Sequence, residues 1–259
     1  MEQAKGRRRF LKSSVGALGV AAAVPATVVS TPASGAEAHA HPGNVKDQAN
    51  AKADKYMFFS AAEVAFVDAA VARLIPADEL GPGAKEAGVT YFIDQQLFGG
   101  WGTMAKMYRQ GPHAEGTPQQ GYQSPLTPQE IFREAIRETN HRLGKPFEKL
   151  PAKEQDEVLK NLEEGKLALD AVPSRFFFNL LLESTIEGFF SDPIYGGNRD
   201  KVGWKLVGFP GVAAAYTTLV DKHGVAYNAE PVSIVDMLEG RVSADEHGHP
   251  KHVMITRKD

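Results

Sequence analysis

Three sets of side chains have the types and spacing from which chemistry is made. Glu183 and Glu187 stand four residues apart in a strongly apolar stretch, so a helix would put both carboxylates on one face. Such a pair can move protons or hold a metal; burial as a structural ion pair with Arg175 or Arg199 is the favoured expectation. His39 with His41, and His247, His249 and His252, are close enough in sequence to hold a metal loosely. Both groups fall in polar stretches without carboxylates arranged by a helix, which favours solvated segments. His113, His141 and His223 stand singly, as surface or capping residues do. The third set is Asp192, Tyr195, Asn198, Arg199 and Trp204, in a glycine-rich loop. Aromatic and arginine anchors on an ordered loop suit a partner interface. The same residues also suit a tight turn, with glycines at positive φ and Asp192 ending the helix before it. No residue is assigned to catalysis, cofactor binding or metal ligation.

Absences narrow the chemistry. The 259 residues contain no cysteine, which removes thiolate iron–sulfur ligation, c-type haem attachment, cysteine-based zinc sites and disulfides. No Gly-x-Gly-x-x-Gly follows a strand; Gly81-x-Gly83 has the wrong spacing for a nucleotide cradle. The net charge is -3, but the first 36 residues hold five bases against one acid. The remainder carries 24 bases against 31 acids, and an acidic body without a basic stripe argues against nucleic acid as a partner.

The basic start reads as an address. Arg7 and Arg8, then Arg9, Phe10, Leu11 and Lys12, precede a mildly apolar run over residues 15–24. That order fits a twin-arginine signal, and small residues from Ala33 to Ala40 offer several cleavage sites. An ordinary secretory signal or a basic leader is the plainer alternative. The run is about half of the ~20 residues that a membrane span needs. Receptors that read a twin-arginine address export folded proteins, so its bearer binds a cofactor or travels with a chain that does.

The expected organisation is a signal at residues 1–38, a linker at 39–55, a helical domain at 56–240 and a polar tail at 241–259. Ser60 with Glu63, and Thr127-Pro128 with Glu130, mark two helix starts by their capping boxes. Further helices are expected after Gly81-Pro82-Gly83 as far as Gly99-Gly100, after Pro151, over residues 174–190, over 212–223 before Gly224, and over 232–238. In residues 174–190 the apolar side chains cover nearly every azimuth, which predicts a helix buried all round. Alternating strand-like runs are nearly missing, so the fold class is all-α: a single helical domain with long Gly/Pro-rich loops. The longest loop, residues 101–125, exceeds ordinary connections. Its Trp101, Met104, Met107 and Tyr108 suit either docking on a partner or folding back over the core.

Asp192-Pro193-Ile194-Tyr195-Gly196-Gly197-Asn198, Gly203-Trp204 and Gly208-Phe209-Pro210-Gly211 resemble the signature region of the gluconate 2-dehydrogenase subunit 3 family. Blocks at residues 66–78, 91–94, 108–112 and 121–127 agree, so the resemblance spans residues 58–231. It implies a three-part dehydrogenase: a FAD-containing large subunit of the glucose–methanol–choline type, a multi-haem cytochrome c and this small, non-catalytic chain. In that scheme the large subunit has no export signal and rides on the small one through the twin-arginine (Tat) translocase to the periplasm. The complex then associates with the membrane peripherally. FAD and haem belong to the partner chains, and this chain holds no cofactor. The rival expectations are a stand-alone periplasmic oxidoreductase or ligand-binding protein, and a chain anchored by an uncleaved signal.

Overall fold

The computed structural model describes residues 55–114, 116–117, 119–120, 123–212, 220–221, 223–224, 227–246 and 248–252. The expected signal, the linker as far as residue 54 and most of the helix expected over 212–223 lie outside the described residues. Among the described residues there are seven α-helices and no strand. They are α1 (Ala61–Leu74), α2 (Val89–Phe98), α3 (Pro128–Leu143), α4 (Ala152–Glu163), α5 (Ser174–Phe190), α6 (Val202–Val207) and α7 (Ile234–Leu238).

The helix ends obey local chemistry. The Glu63 carboxylate accepts the Ser60 N–H at 2.7 Å, closing the capping box of α1, and Glu130 does the same for Thr127 at 2.7 Å. Pro128 then occupies the first turn of α3, where a missing N–H costs nothing. α3 ends at Gly144, whose φ of 65° is the left-handed conformation of a helix terminator. Ser233 and Asp236 form a third capping box on the five-residue α7.

α5 lies at the centre, packed on α1 to α4. Phe177 meets Phe132 of α3 edge-on at 5.7 Å, and Phe66 of α1 lies 4.8 Å from Phe147. Each fully buried phenylalanine contributes about 1.5–3 kcal/mol of transfer free energy, and five of them share this core. The expectation that α5 is buried all round is corrected. Arg175, Asn179, Glu183, Ile186, Glu187 and Phe190 form an exposed stripe. Polar residues at intervals of four leave one line of the helix wet, although apolar residues occupy the other azimuths.

α2 carries the fastening of the domain's first residues. Asp94 is fully buried, and its carboxylate accepts the N–H groups of Met57, Phe58 and Phe59 at 2.7, 2.9 and 2.8 Å. The side-chain amide of Gln95 adds a fourth hydrogen bond at 3.0 Å. Three consecutive amides thus meet one negative charge, and the residues before α1 are held along α2.

The long loop is pinned at both ends. The Gln129 side chain donates to the Leu97 carbonyl at 2.7 Å, and the Arg109 guanidinium to the Pro125 carbonyl at 2.8 Å. Trp101, Met107 and Tyr108 remain exposed between these pins, so they do not fold back over the core. The described part of the expected polar tail, residues 241–246 and 248–252, makes contacts of its own. Ala244 bridges Pro250, and His252 Nε2 lies 3.0 Å from the Val212 carbonyl.

Hydrogen bonds to a charged acceptor contribute about 1.5–3 kcal/mol, so Asp94→Ala should lower stability by about 3 kcal/mol in urea unfolding. Asp94→Asn keeps one acceptor oxygen but turns its NH2 toward a backbone N–H of residues 57–59, so it should also destabilise, by a comparable amount.

Candidate functional site

Between α5 and α6 the chain makes two short 3₁₀ turns, Pro193–Tyr195 and Arg199–Lys201. Asn198, fully buried, ties the loop to itself. Its Nδ2 donates to the Ser191 carbonyl and its Oδ1 accepts the Gly203 N–H, both at 2.8 Å. Gly197 and Gly203 allow this closure, because a Cβ on either would overlap a carbonyl oxygen of α5, that of Gly188 or of Phe189. Trp204 seals the far side. The residue is 5% exposed, its Nε1 donates to the Phe190 carbonyl at 2.7 Å, and Phe209 meets its ring edge-on at 5.2 Å.

A carboxylate pair joins the loop to α7. Asp192 accepts the N–H of Ile194 at 3.0 Å and of Ile234 at 2.9 Å. Burial pushes its carboxyl up from the ordinary value, against those two hydrogen bonds. Asp236 accepts from the Ser233 N–H and hydroxyl at 2.9 and 2.8 Å, from Lys201 Nζ at 2.9 Å and from Arg241 at 3.1 Å. Burial opposes its charge too, but the Ser233 and Lys201 hydrogen bonds outweigh that and hold the carboxyl down to about 2. The sequence pointed only to a short helix over 232–238 here; the capping box of Ser233 and Asp236 and the role of Asp236 as counter-charge of Lys201 were not read.

On the other side the loop lies against α2. The Arg199 N–H donates to the Ala87 carbonyl at 3.0 Å, and its guanidinium stands 5.7 Å from the Tyr91 ring centre. Tyr56 meets the same ring edge-on at 6.1 Å.

The five loop residues singled out from the sequence therefore separate. Asn198 and Trp204 are buried parts of the closure and present no side chain to a partner. Asp192 is a clasp. Tyr195 is 54% exposed, and Arg199, like Asp192, is partly exposed. Sequence reading missed the apolar neighbours exposed at this end: Phe190, Leu206, Val207 and Phe209. Glu183 and Glu187 are exposed, not buried as an ion pair; Arg175 donates to the Glu163 carbonyl at 3.0 Å instead. Among the described residues no three His, Asp or Glu side chains gather as a metal-binding group. His249 pairs with Asp245 at 3.3 Å. The polar atoms of the closure are spent on one another, so the arrangement supplies shape and contact area.

The profile of the family described as Gluconate 2-dehydrogenase subunit 3 matches residues 61–211, more than half of the chain. The chain belongs to that family. No curated protein and no solved structure matches it. The matched span opens at the first residue of α1 and ends at Gly211, so the subunit 3 region contains the whole closure around Asn198. α7 lies beyond the span and is fastened to it by Asp192 and Lys201.

Asn198→Ala should cost about 2 kcal/mol, because two buried partners lose their hydrogen bonds. Asn198→Asp should cost more, by setting a carboxylate against the Ser191 carbonyl; urea unfolding reads both. The Asp236 contribution to stability is complete above the ordinary value of 3.8 and is lost as pH falls toward 2. Acid unfolding of Asp236→Asn should therefore show a weaker pH dependence in that window.

Proposed function

We propose that this chain is the small, non-catalytic subunit of a periplasmic FAD-dependent dehydrogenase of gluconate or a related sugar acid. It carries the twin-arginine signal and escorts and stabilises the flavin-bearing large subunit. Membership in the subunit 3 family, over residues 61–211, is the observation that carries this reading. Three sequence features support it. Arg7 and Arg8 with Phe10, Leu11 and Lys12 form an address for folded cargo. The absence of cysteine leaves no thiol for a c-type haem, and no glycine fingerprint offers a flavin cradle. FAD and haem accordingly sit in the large and cytochrome subunits, and the complex rests on the membrane through them.

Tyr195 and Arg199 are the proposed contacts to the large subunit, with the apolar end of α5 and α6 beside them. The loop presents them on a buried frame, so little ordering is lost on docking.

Arg7→Lys with Arg8→Lys should leave both chains in the cytoplasm, read by fractionation and by dye-linked gluconate oxidation in intact cells. An active large subunit in the periplasm of that strain would overturn the escort role. Tyr195→Ala with Arg199→Ala should reduce co-purification of the large subunit at least about tenfold, as loss of an interface hot spot does. The chain purified alone should be colourless and inactive with sugar acids and an acceptor dye.

A further inference from the structure

Residues 55–59, to which the N-terminal segment is joined, and the loop over residues 192–204 are remote in sequence yet share two turns of α2. On one side Asp94 takes the N–H groups of Met57, Phe58 and Phe59, and Tyr56 leans edge-on against Tyr91 at 6.1 Å. On the other side Gly196 is seated on the same Tyr91 ring, so closely that a Cβ there would come within 2.6 Å of a ring carbon. Arg199 completes the contact. Its guanidinium faces the Tyr91 ring at 5.7 Å, its N–H is bonded to Ala87, and its side chain fills the space where Gly88 has no Cβ. Tyr91 and Asp94 are three apart and lie on the same side of α2. Displacing the ring from the loop side shifts the surface against which Tyr56 leans from the other.

We propose that the base of the N-terminal segment and the signature loop form one mechanical unit keyed on Tyr91. Occupation of the loop is then felt at residues 55–59, where the linker that follows the expected export signal enters the domain. The use of this coupling rests on the escort reading above; the coupling itself does not. A large subunit seated on Tyr195 and Arg199 would tighten the hold of Asp94 on Met57, Phe58 and Phe59, so loaded and empty subunits differ where the linker enters the domain.

Hydrogen exchange on the full chain, without partner, tests the coupling. Gly196→Ala strains a backbone at φ 95° and pushes a methyl into the Tyr91 ring, while Arg199→Gln removes the cation. In both, the amides of Met57, Phe58 and Phe59 should exchange about tenfold faster, with Leu159 and Leu162 of α4 unchanged. Asp94→Asn should act in reverse, speeding Lys201 and Gly203 of the loop. Faster loop amides with an unchanged base would overturn the proposal. So would equal acceleration in α4, which signals global loosening only. If Gly196→Ala does not fold, Arg199→Gln and Asp94→Asn decide; no change at the base in the first and none in the loop in the second would also overturn it. These results are independent of export, so an arginine-pair variant that still exports the large subunit would sink the escort reading and leave the coupling intact.

Discussion

A negative charge placed where water does not reach, and met by the amide groups of three successive residues, governs how this domain begins. Asp94 sits inside α2, and Met57 to Phe59 are wrapped onto it. An isolated carboxylate in such a place would be prohibitive to bury; with three backbone donors and the Gln95 amide it becomes a directional lock. α1 follows at once, capped by Ser60, so its register against α2 and α5 is set by a polar contact as much as by apolar packing. Everything on the α2 side, including the seat of the signature loop on Tyr91, inherits that placement.

The loop between α5 and α6 follows the same rule with a neutral group. Asn198 offers one donor and one acceptor to a chain that doubles back on itself, and both are used. The glycines beside it supply room for backbone to approach backbone. Trp204 then closes the turn with bulk and a single hydrogen bond. A loop built this way is fixed at its root by buried groups and displays what projects beyond it, Tyr195 and part of Arg199 among them.

Much of this was legible in the residues alone. The capping boxes at Ser60 and Thr127, the glycine ends at Gly99 and Gly144, and the opening of α5 after Pro173 are local signals, and the helices start and stop where they say. The all-α class followed from the same periodicity. What escaped was non-local. Whether Glu183 and Glu187 are wet or buried depends on which side of α5 its neighbours leave open, and no spacing rule states that. The burial of Trp204 depends on a turn whose closure needs a backbone amide of Gly203, invisible in side-chain patterns. Asp94 entered the sequence reading only as the end of the block at residues 91–94; its role lies in a segment 35 to 37 positions earlier.

Asn198, Asp200 and Lys201 all have φ between 48° and 58°, in the left-handed region where each non-glycine residue sits uphill by roughly 1 kcal/mol. Such a run has no reason to form in an incomplete chain. It becomes the favoured arrangement only when α5 offers its carbonyls, α2 its tyrosine and Asp236 its charge. The crest that Tyr195 and Arg199 occupy is thus the keystone of an arch, set after the stones beneath it, and a molecule that grips it is gripping a finished body.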